Sequence, residues 1–266
     1  METVKLGKVS FHLREAQDFS WLLDIGEPFC VFGQNDSGNI SFGVERSGNR
    51  YFVKYAGART AEYDGELAQA VENLRRALQV YRDLAHPSVI RLLREVETPH
   101  GLAAVFDWVE GECLYAHWTF DQWDRHTHPE SPYVKFRALP LEKKRAAAEV
   151  LFDFLAYTEE QGYAAVDFYD GSILYDFDTD RTFLCDIDFF RKKPVKNDRG
   201  EGWWGSRRLK APEEYELGAE IGSDTNVFGL GRLLLCLFAG EEHPDREHWE
   251  DTGARWQAVQ KAVQPR

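Results

Sequence analysis

Apolar and polar positions in the first hundred residues alternate in short aromatic and β-branched runs. Phe29-Cys30-Val31-Phe32, Ile40-Ser41-Phe42-Gly43-Val44 and Tyr51-Phe52-Val53-Lys54-Tyr55 predict three strands. The turn clusters Asn35-Asp36-Ser37-Gly38-Asn39 and Arg46-Ser47-Gly48-Asn49-Arg50 join them into an antiparallel meander. The period then lengthens. Leu67, Val71, Leu74, Leu78 and Tyr81 recur at spacings of four and three, a helical stripe that stops at Ala85-His86-Pro87. Val89–Leu93 and Leu102–Phe106 predict two further strands, so residues 1–109 make a small lobe of five strands and one main helix. From Leu141 onward helical patterns dominate, with Leu151, Phe154, Leu155 and Thr158 on one face of a helix ending at Gly162. Trp118 to Leu139, with Pro129, Pro132 and many aromatics, reads as a surface connection. The fold class is α+β, with 110–266 as a second, mostly helical part.

Composition narrows the function. A formal charge of −13 argues against nucleic-acid binding and against attachment to anionic membrane. The longest apolar run, Leu233 to Ala239, is too short to span a bilayer, and Met1-Glu2-Thr3-Val4-Lys5 has no apolar leader core. Cys30, Cys113, Cys185 and Cys236 show no metal-ligand spacing, so reduced thiols in a cytoplasmic protein are expected. His117, His126 and His128 lack a carboxylate at matching spacing and predict no metal site.

Two carboxylates carry the chemistry. Asp167 lies in Ala165-Val166-Asp167-Phe168-Tyr169-Asp170-Gly171-Ser172-Ile173-Leu174, and Asp188 in Phe183-Leu184-Cys185-Asp186-Ile187-Asp188-Phe189-Phe190. Their separation, 188 − 167 = 21 residues, suits a loop, a hairpin and a metal-binding turn. Alone, either is an acidic loop in an acidic protein. Four further phrases follow in order: His86-Pro87-Ser88-Val89-Ile90-Arg91-Leu92, Val105-Phe106-Asp107-Trp108-Val109-Glu110-Gly111, Gly205-Ser206-Arg207-Arg208-Leu209-Lys210-Ala211-Pro212-Glu213, and Ser223-Asp224-Thr225-Asn226-Val227-Phe228-Gly229. In these phrases, from about Phe29 to the C-terminus, the chain resembles the protein kinase-like superfamily. The Asp167-to-Ile173 phrase is also similar to one in a bacterial group of serine/threonine kinase-like proteins.

The resemblance implies a bilobal kinase-like fold, with 1–109 as the nucleotide-binding lobe and 110–266 as the catalytic lobe. It implies ATP and Mg2+ as cofactors and a serine/threonine protein kinase type of phosphoryl transfer. Asp167 would be the base, Asp188 and Ser172 the metal ligands, and Lys54 the clamp on the α- and β-phosphates. Ser37, Gly38 and Asn39 would cradle phosphate, while Asp107 and Val109 would line the nucleotide site from the hinge. Glu72, with Glu66 as rival, would fix Lys54, although both lie off the apolar stripe. Asp224 would be a buried anchor for the catalytic loop, and Glu213 an anchor paired with a late arginine such as Arg266.

Departures from the pattern matter as much. Ala165 and Val166 stand where histidine and arginine are usual, and residues 189–204 contain no Ser, Thr or Tyr, so both halves of a phospho-switch are missing. Tyr169 replaces a lysine, Ser172 an asparagine and Phe190 a glycine, while Asp170 offers a further charge nearby. Arg191, Lys192, Lys193, Lys196, Arg199, Arg207, Arg208 and Lys210 form a basic strip fit to dock an acidic or phosphorylated partner, or else a solvated face. Three functions remain: a kinase acting on protein, a small-molecule kinase of the aminoglycoside phosphotransferase-like kind, and a nucleotide-binding pseudokinase.

Overall fold

The computed structural model describes residues 1–33, 37–241 and 244–264. They form two units, Met1–Ala85 with Ile90–Val109, and His86–Val89 with Glu110–Arg266. The expected boundary at 109 therefore gains an exception, because residues 86–89 pack with the second unit.

The first unit holds β1 (Glu2–Leu6), β2 (Val9–Leu13), α1 (Ser20–Leu23), β3 (Glu27–Phe32), β4 (Asn39–Arg46), β5 (Asn49–Ala56), α2 (Leu67–Asp83), β6 (Leu92–Thr98) and β7 (Gly101–Asp107). Strands β3 to β7 make one antiparallel sheet of five, in the order β3-β4-β5-β7-β6. The β1–β2 hairpin and α1 were not expected. They supply Val9, Phe11, Leu13, Phe19 and Leu22, which pack with Ile40, Phe42, Val44, Val53 and Tyr55 of the sheet. Strand alternation sends Phe52 and Lys54 to the other face, where the Phe52 ring lies 6.0 Å from Phe106 and Tyr81 of α2 lies 4.7 Å from Phe106. The fourth predicted strand is shifted. It begins at Leu92 rather than Val89, because Val89 makes a parallel bridge to Leu184 in the second unit.

The second unit adds β8 (Glu112–Cys113), α3 (Pro132–Arg137), α4 (Leu141–Glu160), β9 (Tyr163–Ala164), β10 (Ile173–Asp176), β11 (Arg181–Leu184), β12 (Arg191–Lys192), β13 (Val195–Lys196), β14 (Glu220–Ile221), α5 (Ser223–Phe238) and α6 (Gly253–Ala262). Helix α4 ends as expected: Gln161 caps it and Gly162, at φ +75°, reverses the chain. Leu233–Ala239 is a buried stretch at the end of α5. The supposed surface connection is partly core. Arg125, Ser131, Tyr133 and Phe136 are all buried there. Among the described residues no helix is long and apolar enough to cross a membrane.

Candidate functional site

Asp167 follows β9 in a loop whose walls are core. Ala164 and Val166 pack with Val195, Trp203 and Ile221, and the buried Phe168 meets Phe190 edge-on at 6.0 Å. That packing holds Asp167 at φ +61°, the left-handed region that a non-glycine residue adopts only when its surroundings over-determine it. Asp167 lines a small cleft with Ser206, Lys210, Glu214, Thr225 and Asn226. Burial pushes the Glu214 carboxyl up to about 7, against the pull of the Ala211 N–H that it accepts at 2.7 Å. Burial also lowers the Lys210 ammonium, which donates to the Trp203 carbonyl at 2.7 Å.

Asn226 anchors this loop, and Asp224 is not the buried residue expected there. Asn226 is buried; its Oδ1 accepts from Ala165 N–H at 2.7 Å, and its Nδ2 donates to the Tyr163 carbonyl at 3.2 Å and to Glu159 at 3.1 Å. Asp224, two residues earlier, is exposed. Glu213 accepts from the Thr225 hydroxyl at 2.7 Å, so α5 holds it from within; Arg266 lies outside the described residues.

The two acidic loops are joined by backbone. Cys185 N–H donates to the Ser172 carbonyl at 2.9 Å, at the end of the antiparallel pair β10–β11. Ser172 is fully buried, and its Oγ has no hydrogen-bond partner among the described residues. Asp188 is half-buried on the turn closed by Phe190 N–H donating to the Ile187 carbonyl at 3.1 Å. Phe190, in the glycine's place, packs its ring near Phe154 and stiffens that turn. Asp170 does not serve as a spare charge for this site. It is fully buried and ion-paired with Arg125 and Arg208. Burial and the fields of Asp186 and Asp167 push the Tyr169 phenol up, so it stays protonated and cannot replace a lysine's charge.

In the first unit Lys54 is 8% exposed, which excludes a strand lysine pointing into solvent. A buried ammonium suits an anion. Gly38 turns at φ +81°, and a side chain there would meet Ala70 and Tyr63 at 2.8 Å, so only glycine fits. Asn39 is buried and donates to the Ser37 hydroxyl at 3.2 Å; Asn35 and Asp36 of the same turn lie outside the described residues. Asp107 spends its carboxylate on Arg91 at 2.6 Å, and its N–H donates to the Arg91 carbonyl at 3.0 Å. Trp108 packs on Phe29 at 5.0 Å, and Val109 follows half-buried. Glu66 precedes α2 as its N-cap residue, and Glu72 is exposed on α2 beside Arg75.

The basic strip is divided. Lys193 pairs with Glu159, Arg208 with Asp170, and Lys210 caps carbonyls. Lys192, Lys196, Arg199 and Arg207 stay exposed. The three histidines each lie against a ring: His117 on Trp118, His126 on Tyr133 and His128 on Trp123.

No family model matches the chain. The chain is similar to the maternal embryonic leucine zipper kinase of Danio rerio, 26% identical over 178 residues. The match covers 66% of this chain but 24% of that kinase. This similarity indicates a kinase-like relationship.

Proposed function

We propose that the chain is an ATP- and Mg2+-dependent phosphotransferase of serine/threonine protein kinase type, with the two units as the nucleotide-binding and catalytic lobes of one kinase-like domain. The observation that carries this reading is the hydrogen bond from Cys185 N–H to the Ser172 carbonyl, which sets the Asp167 loop beside the Asp188 turn. Asp167 takes or orients the proton of the acceptor hydroxyl. Lys54 holds the α- and β-phosphates, with Ser37, Gly38 and Asn39 offering backbone and hydroxyl donors, and Glu72 turning from α2 to steady Lys54. The Asp188 carboxylate and the unbonded Ser172 hydroxyl are oxygen donors, which fits a hard divalent cation. When bound, that cation neutralises charge on the transferring phosphoryl group. Lys192, Lys196, Arg199 and Arg207, exposed along the 191–210 segment, suit an acidic acceptor protein in the cytoplasm.

The test is transfer of labelled phosphate to protein or to the chain itself. Asp167→Ala and Asp188→Ala each lower it by about 100-fold or more; equal labelling in all three proteins sinks the proposal. The neutral, half-buried Tyr169 favours a second reading, a nucleotide-binding pseudokinase. Calorimetric ATP binding without turnover on protein and metabolite panels selects it, whereas turnover on a metabolite alone selects a small-molecule kinase.

A further inference from the structure

Asp170 stands three residues after Asp167, has no exposed surface, and meets two guanidinium groups. Arg125 comes from the segment before α3 and is 6% exposed; Arg208 comes from the 205–213 segment and reaches the Asp170 Oδ1 at 2.7 Å. Glu241, just after α5, pairs with Arg125 and lies 3.1 Å from Arg208. The Tyr115 ring sits 4.6 Å from the Arg125 guanidinium and 4.5 Å from that of Arg208. Two cations thus balance two anions, as a buried cluster requires.

Arg208 is gripped at both ends. Its carbonyl accepts from Arg232 Nε and Nη2 at 3.3 and 3.0 Å, while its side chain is fixed by Asp170 and Glu241. In turn, Leu209 and Lys210 N–H groups donate to the Ser206 carbonyl at 2.9 and 3.1 Å, so the turn around Arg208 is closed. Residues 189–204 carry no hydroxyl that a phosphate would need to order this segment from upstream.

We propose that Arg208, acting through Asp170, is a positioning residue that fixes the 205–213 segment to the Asp167 loop permanently, in the role that phosphorylation serves elsewhere. The proposal rests on the phosphotransferase reading for its functional meaning, but the tether itself is measurable without turnover. Lysine at 208 keeps the charge and loses the fork that spans Asp170 and Glu241.

The experiment is amide hydrogen exchange on the full chain, comparing wild type, Arg208→Lys, Asp170→Asn and the control Arg145→Lys, whose partner is Asp251. Exchange across 205–213 rises about tenfold or more in the first two variants and is unchanged in the control and after phosphatase treatment of wild type. The acceptor's KM rises about tenfold in Arg208→Lys while the nucleotide KM stays. If exchange in 205–213 is unaltered in Arg208→Lys, or if phosphatase loosens wild type, the proposal is wrong. Should Asp170→Asn fail to fold, Arg208→Lys alone decides. Expected exchange with no phosphate transfer by wild type retains the tether and removes the phosphotransferase reading instead.

Discussion

Asn226 and Asp224 are two residues apart, about 200° around a helix, so they face opposite ways. The stripe Asn226, Leu230, Leu233, Leu234, Leu237 is buried, and Asp224 lies off it. Helical phase puts Asn226 on the buried side, whereas the kinase-like phrase points to Asp224. Arg125 and Glu241 left no such signal: an arginine between aromatics in a proline-bearing stretch reads as surface, and only the fold brings Asp170 to it. Asp167 and Asp188 were legible because their flanking apolar residues mark strands; the left-handed backbone of Asp167 was not. Asn226→Ala leaves the Ala165 N–H and Tyr163 carbonyl without a partner and is expected to destabilise the protein by about 2–3 kcal/mol. Asn226→Asp keeps the acceptor but turns a carboxylate oxygen toward Glu159 and the Tyr163 carbonyl, so urea denaturation should rank it at or below the alanine variant.

At the scale of elements, the meander and α2 followed from period and turn chemistry. The edge strand β6 did not, because Arg94, Glu95 and Glu97 blur its alternation, as edge strands commonly do. The β1–β2 hairpin carried a readable pattern, Val9, Phe11 and Leu13 inward with Gly7 at the turn, but an expectation that begins at Phe29 leaves it out. Helix α5 holds two glycines with different reasons. A side chain at Gly231 would come within 2.8 Å of Val263 and 2.9 Å of Ala262, so α6 requires its absence; nothing lies within 4 Å of one at Gly229. Gly231→Val is expected to cost about 1–3 kcal/mol and to expose α6 to protease. Gly229→Ala should raise stability by about 0.5–1 kcal/mol in the same melts.

For the molecule as a whole, two carboxyl groups set opposite pH limits. Burial raises Glu214 from 4.5 to about 7, so between those values the native state holds a proton that the unfolded chain has released, and stability falls as pH rises. Asp251 is held below its ordinary 3.8 by hydrogen bonds from Arg145 and then Arg255, against the effect of burial; its contribution is present above 3.8 and lost as pH falls. Melting temperature against pH should therefore flatten between 4.5 and about 7 in Glu214→Gln and below 3.8 in Asp251→Asn.

The short crossing at 86–89 has a practical consequence for dissection. His86 pairs with Asp153 of α4 at 3.3 Å, and the Ser88 carbonyl accepts the Leu184 N–H at 2.6 Å. A fragment starting at Glu110 would be born with an open seam along β11, hungry for any passing strand. Grafting those four residues back through a linker is the way to recover it in soluble form.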